Sequence, residues 1–219
     1  MFTGIIEAVG RLRAINTSGD GARITIDTAS LDLSDVKLGD SIATNGVCLT
    51  VTALDSASFS ADVSSETIKR SGLAHYQVGD SVNLEKAMLP TTRFGGHMVS
   101  GHVDGVSEIK AIEHKGNSIE YWLSMPAELA PYIAEKGSIT IDGTSLTVNS
   151  LTTEQFRLTI VPHTTQETII SKYQVGTKVN VEVDLIARYI ERLLTQQSPE
   201  KQVDSGVTHA LLARNGFIK

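Results

Sequence analysis

YQVGDSVNLE at residues 76–85 and YQVGTKVNVE at residues 173–182 are two versions of one decapeptide, 97 residues apart. Sliding the 219-residue chain along itself at that offset keeps finding matches. Met1-Phe-Thr-Gly4 falls on Met98-Val-Ser-Gly101, NGVCLTV (45–51) on DGTSLTV (142–148), Phe59 on Phe156 and Thr67 on Thr164. An offset held over a whole domain length marks an internal duplication. The duplication predicts two homologous domains, residues 1–97 and 98–187, with residues 188–219 as a C-terminal helix and tail. The junction near Leu89–Gly96 contains Pro90 and the pair Gly95-Gly96, punctuation suited to a linker.

Each copy reads as β. Polar and apolar residues alternate in ARITID (22–27) and SIEYWLSM (118–125), and Asn45-Gly46 and Asp142-Gly143 are turn pairs leading into β-branched strands. Several short, evenly spaced strands in under 100 residues predict a small closed barrel. Short helices are expected at SSETIKRSGL (64–73) and PAELAPYIA (126–134). Residues 184–195, DLIARYIERLLT, break the pattern. Leu185, Ile186, Tyr189, Ile190, Leu193 and Leu194 form one apolar helical face that must rest on its own barrels or, the preferred reading, on the same helix of other subunits. Residues 196–205 read as a polar, mobile stretch and THALLARNG (208–216) as a further short helix.

Composition narrows the function classes. Net charge is −6 without a basic stripe, which argues against nucleic acid and anionic membranes as partners. No apolar run approaches the roughly 20 residues of a transmembrane helix. The start has no secretory pattern and Cys48 is the single cysteine, so the expected compartment is the cytoplasm. His97 and His102, five apart on an extended segment, point to opposite faces, and His163 has no carboxylate or cysteine at ligand spacing, so no metal is expected. There is no G-x-G-x-x-G and no Walker pattern.

The polar residues that differ between matched positions carry the chemical signal: Cys48 against Ser145, Ile5 against His102, Ala87 against Asp184. Taken singly, each has a plain structural reading. Cys48 is a small hydrophobe, Ser145 and Thr147 satisfy strand-edge groups, Asp184 is an N-cap and Lys136 a solvated loop lysine. These readings alone give a duplicated β-barrel protein with room for a ligand pocket in each half.

MFTGI at the start, the NG-x-C-LTV strand, the GGHMVSGHVDG junction, DG-x-SLTV, and VPHT followed by VGTKVNVEVD together resemble the riboflavin synthase family over residues 1–187. The resemblance implies two six-stranded Greek-key barrels followed by a C-terminal α-helix that builds a homotrimer. It implies dismutation of two molecules of 6,7-dimethyl-8-ribityllumazine per active site into riboflavin and 5-amino-6-(D-ribitylamino)uracil, without a cofactor, and an association with lumazine synthase. The family's binding segments map onto Gly4, Ile5, Ile6, Cys48, Leu49, Thr50, Asp62, Val63, Ser64, Ser65, Glu66 and Thr67, grouped with the first barrel. For the second barrel they map onto Gly101, His102, Val103, Lys136, Ser145, Leu146, Thr147, Val161, Pro162, His163, Thr164, Thr165 and Gln166. The roles implied are His102 as base or proton shuttle, Cys48 or Ser145 as nucleophile or hydrogen-bond donor to the ring, Asp184 as orienting group, with Thr147 beside them and Phe2 packed over the site. Two departures stand out: Val47 replaces a second cysteine found in some members, and the tail beyond Thr195 has little recognisable pattern. The rival readings are a non-catalytic lumazine- or flavin-binding relative of the same fold, a flavin-reductase-like barrel and a purely structural trimer. The reductase would need an added nucleotide domain, which does not follow the repeat.

Overall fold

The computed structural model describes residues 1–195 and 209–217; the stretch expected to be mobile, residues 196–205, lies outside them. Among the described residues twelve antiparallel strands form two closed barrels. The first comprises β1 (Ala8–Ser18), β2 (Gly21–Asp27), β3 (Ser41–Thr44), β4 (Val47–Leu54), β5 (Ser58–Val63) and β6 (Ser81–Lys86), in the order β1-β2-β5-β4-β3-β6. The second repeats that order with β7 (Gly105–Lys115), β8 (Ser118–Ser124), β9 (Ser138–Ile141), β10 (Thr144–Leu151), β11 (Gln155–Ile160) and β12 (Lys178–Val183). β2 pairs with β5 rather than with β3, the Greek-key crossing, and closure leaves no free sheet edge.

The turn pairs act as expected. Asn45 and Gly46 have φ of 45° and 79°, and Asp142 and Gly143 have 43° and 81°, the positive values that a two-residue hairpin needs. Alternation then fills the barrels. Leu49, Val51, Phe59 and Leu84 lie in one core and Val148, Phe156, Leu158 and Val181 in the other. Truncating Phe59 or Phe156, both essentially unexposed, would remove about 3–5 kcal/mol.

The repeated decapeptide holds the two barrels together. Asn83 Nδ2 donates to the Asp142 carbonyl at 2.9 Å and Asn180 Nδ2 to the Asn45 carbonyl at 2.8 Å. Their side-chain oxygens accept from Ile169 N–H at 2.8 Å and Gly72 N–H at 2.6 Å. These reciprocal bonds join the two hairpin tips, where a Cβ built on Gly46 would lie 2.8 Å from the Gly143 nitrogen.

The helices partly follow expectation. α1 (Ser65–Arg70) begins where predicted, with the Ser64 hydroxyl accepting from Thr67 N–H, and a 3₁₀ turn continues it over Gly72–His75. The helix expected over 126–134 is only a 3₁₀ turn at Ala130–Tyr132, because Pro131 cannot join a longer hydrogen-bond ladder. An unexpected helix, α2 (Pro162–Glu167), starts on Pro162 at its first position. α3 (Leu185–Thr195) matches the predicted amphipathic helix; Ile186, Tyr189, Ile190, Leu193 and Leu194 are exposed. α4 (His209–Arg214) falls in the second predicted tail helix.

Candidate functional site

Two short arms, one before each barrel, build the site. The first runs through Phe2, Thr3 and Gly4, the second through Val99, Ser100 and Gly101, and they pair with each other at Phe2 and Val99. A buried glutamate at the end of each repeated decapeptide clamps one arm. Glu85 accepts Thr3 N–H and Thr3 Oγ1–H at 2.7 Å and Gly4 N–H at 3.0 Å. Glu182 accepts Ser100 N–H at 2.6 Å, Ser100 Oγ–H at 2.8 Å and Gly101 N–H at 3.0 Å. Burial pushes both carboxyls up, Glu182 to about 7, against the pull of those donors.

The arms then cross. The Gly4 carbonyl receives Ser145 N–H at 2.8 Å, on the second barrel, and the Gly101 carbonyl receives Cys48 N–H at 2.8 Å, on the first. Both glycines have positive φ, and a Cβ on either would stand 2.6 Å from the Cβ of Ser145 or Cys48. This corrects the grouping drawn from the sequence: Gly4 belongs with Ser145, and Gly101, His102 and Val103 belong with Cys48. An equal offset identifies equivalent segments and is silent on which copy each rests against.

Around Cys48 is a pocket of about 250 Å³ that also takes in Glu66, Thr67, Arg70, Gly101, His102 and Val103. Strand alternation turns Cys48 and Thr50 outward and Leu49 into the core. Behind the thiol lie apolar groups: fully buried Phe2, then Ala43, Ala87 and Val99. The walls come from α1, which follows the end of β5, and from the second arm. Asp62 in β5 is occupied by Arg23 in a two-pronged ion pair at 2.7 and 2.9 Å, whose hydrogen bonds hold its carboxyl below the usual range.

The Ser145 half is built from polar replacements of the same positions. Thr140 stands where the first copy has Ala43, and Asp184 where it has Ala87. His97 is buried beside Thr140. Its Nδ1 is 2.7 Å from Ser145 Oγ and its Nε2 3.1 Å from Thr140 Oγ1. Burial lowers the His97 pKa, and the nearby Asp184 charge opposes that shift. A mostly neutral imidazole bonded to a serine hydroxyl can accept its proton. His97 is the residue that sequence reasoning missed. The change from Ala43 to Thr140 beside it was a readable signal, since a buried threonine hydroxyl needs a partner.

The remaining residues are spread more widely. Ile5 is exposed and lines a cavity of about 570 Å³ between the first arm, Asp35–Ser41 and the linker. That cavity holds Lys86, bound by Asp35 at 2.7 Å, but neither Cys48 nor Ser145. Ile6 is half-buried at the end of the first arm. Val63 is a core residue, and Ser64 and Ser65 start α1. Leu146 leans on the second core, while Thr147 is exposed. Lys136 is exposed with φ of 66°, where the first copy has Gly39 with φ of 92°. Thr147 pairs with Ser138, so Lys136 lies near that end of the strand. Of the α2 segment, Pro162, Thr165 and Gln166 line a separate groove of about 350 Å³ beside the β7–β8 turn. Val161 and His163 are exposed and Thr164 is half-buried. Among the described residues no group of three His, Cys, Asp or Glu side chains could hold a metal, and no helix is long and apolar enough to cross a membrane.

The lumazine binding domain family matches twice, at residues 3–87 and 100–184. The riboflavin synthase of Photobacterium phosphoreum is 55% identical over 218 residues, covering all of both chains. That of Bacillus subtilis (strain 168) is 46% identical over 217 residues, 99% of this chain and 100% of the other. Among solved structures, LumP complexed with riboflavin aligns with a TM-score of 0.77 at 23% identity, over 84% of this chain and 99% of that one. LumP complexed with 6,7-dimethyl-8-(1'-D-ribityl) lumazine gives 0.75 at 22% over the same shares, so the fold is common to both.

Proposed function

The chain belongs to the riboflavin synthase family, and from that premise we propose that it converts two molecules of 6,7-dimethyl-8-ribityllumazine into riboflavin and 5-amino-6-(D-ribitylamino)uracil. One lumazine gives a four-carbon unit to the other, and the two products account for every atom of the two substrates. The lumazine ring is its own electron sink for the methyl carbanion, so the protein's task is to hold two rings at reacting distance and to move protons.

The observation that carries this reading is the pair of matched but chemically different positions, Cys48 and Ser145. Cys48 has a pocket with an apolar back wall and His102 at its rim. Ser145 is bonded to His97. In this reading His97 and Ser145 handle protons, with Asp184 stabilising the charged imidazole. Cys48 or His102 serves the other ring, with Thr50, Glu66 and Thr67 on one side and Lys136 and Thr147 on the other as binding groups.

The reading includes a homotrimer in the cytoplasm, in which the first barrel of one subunit faces the second barrel of the next; the exposed apolar residues of α3 support it. The domain limits, residues 1–97, 98–187 and 188–219, and a partnership with lumazine synthase belong to the same proposal. A non-catalytic binder of the same ligands is the other reading. It is favoured by the shared LumP fold, but identity to the enzymes is more than twice as high. Incubating pure protein with the lumazine alone decides between them: growth of flavin absorbance supports the enzyme, and ligand fluorescence changes without product support the binder.

A further inference from the structure

The two barrels differ at the end that lies against α1 and α2. In the second barrel Tyr121 fills this end. It is 4% exposed, its hydroxyl donates to the Ile170 carbonyl at 3.3 Å, and its ring meets Tyr173 edge-on with centroids 6.2 Å apart. The cavity left beside it is about 10 Å³. At the matched positions the first barrel has smaller side chains: Ile24 for Tyr121, Ala61 for Leu158, Ala22 for Ile119. The result is a pocket of about 190 Å³ among Ile15, Ala22, Ile24, Val63, Ile68 and Tyr76. An apolar cavity of about 150 Å³ is enough to admit benzene.

The repeat also supplies the rest of a binding site. Tyr76 is the counterpart of Tyr173, and the Leu73 carbonyl is the counterpart of the Ile170 carbonyl. Leu73 accepts Tyr76 N–H at 3.3 Å just as Ile170 accepts Tyr173 N–H at 3.1 Å, and a carbonyl has two lone pairs. The second barrel thus contains, as its own Tyr121 ring, an image of what the first barrel lacks. We infer that the pocket between the first barrel and α1 is a binding site for a small monocyclic phenol, held edge-to-face on Tyr76 with its hydroxyl donated to the Leu73 carbonyl. The site is separate from the Cys48 pocket: Ile68 faces it from α1, while Glu66 and Thr67 of the same helix face Cys48. Its floor, Tyr76, accepts Asn45 Nδ2–H at 2.8 Å and Asn180 Nδ2–H at 3.2 Å, so a bound phenol touches the network that joins the barrels.

The probe is p-cresol, the tyrosine side chain itself, titrated into the full-length chain and followed by ligand-observed NMR. One saturable site per chain is expected, with a Kd on the order of 1 mM from the modest free energy available per ligand atom. Ile24→Tyr supplies the missing ring and should weaken binding at least about tenfold while leaving lumazine turnover unchanged. Ala22→Ile narrows the same pocket and serves if Ile24→Tyr does not fold. Tyr121→Ala should add a second site. A wild-type chain that shows no saturation at about ten times that concentration, or binding that survives both narrowing substitutions, would overturn the inference.

Discussion

Asp142 and Asn45 occupy matched positions at the two hairpin tips, and the pair gives a quantitative test. Asp142 Oδ1 accepts Asn180 N–H at 2.8 Å and Oδ2 accepts Tyr173 O–H at 2.6 Å. Asn45 Oδ1 accepts Asn83 N–H at 2.7 Å, and its Nδ2 donates to Tyr76 Oη at 2.8 Å. An amide therefore already does this task in the first copy, and Asp142→Asn should fold without rearrangement. Burial pushes the Asp142 carboxyl from its ordinary 3.8 up to about 7, the bonds from Tyr173 and Asn180 only partly opposing it. Between those values the native state keeps a proton that the unfolded chain has released. The stabilisation from this group is complete below about pH 3.8, falls as pH rises through about 7 and is then constant. The interval corresponds to about 4 kcal/mol. The amide introduced by Asp142→Asn does not titrate, so the variant should gain on the wild type by about that amount between about pH 4 and pH 8. Glu85 and Glu182, also pushed up, and His97, pushed down, are present in both proteins and cancel in the difference. Urea unfolding of both proteins across this pH range, read by one probe, measures it. Stability curves that run parallel would show that Asp142 is ionised throughout and would refute the reasoning.

Other expectations follow from the crossed arms and the two reactive positions. A Cβ on Gly96 would stand 2.0 Å from the Thr3 carbonyl oxygen, a backbone atom, so Gly96→Ala should displace the first arm, costing about 1–3 kcal/mol and most of the turnover; unchanged Tm and rate would contradict the arm's role. Lys136→Gly removes an amine from a left-handed backbone position and should raise stability by roughly 1 kcal/mol while raising KM for the lumazine; an unchanged KM would remove Lys136 from the site. Co-refolding Cys48→Ala with Ser145→Ala should restore activity at about a quarter of subunit boundaries, whereas Cys48→Ala with His102→Ala should add nothing, because those two share one pocket; the reverse pattern would undo the crossed assignment. Ending the chain after Ala187 removes most of the α3 apolar residues and should abolish the trimer by light scattering; a truncated protein that stays trimeric would deny α3 that role.

The parts of the fold legible in the sequence are those in which one residue type answers one local demand. Asn45-Gly46 and Asp142-Gly143 announce the hairpins because few residues accept positive φ. Alternation in 22–27 and 118–125 exposes the strand faces. The decapeptide is shared by the two copies because Asn83 and Asn180, and Glu85 and Glu182, make equivalent bonds in each half, while Tyr76 and Tyr173 meet matched partners, the first accepting from Asn45 and the second donating to Asp142. The site was legible only residue by residue. Comparing the copies singles out Cys48, Ser145, His102 and Asp184, and it points to His97 only indirectly, through Thr140 in place of Ala43. It cannot reveal which arm serves which barrel. Gly4 resting on Cys48 or on Ser145 would leave the same pattern of glycines, because both reactive positions need a neighbour without a Cβ. The crossing is decided by the partner at Asn83 and Asn180, which sets the two barrels tip to tip and brings each arm to the other's strand. One physical consequence follows. The Cys48 pocket is completed by residues that lie before the opposite barrel in the chain, and Ser145 meets Gly4 in the same crossed way, so neither half owns its site, and damage to an arm should be felt in the barrel it rests on rather than in the barrel it precedes.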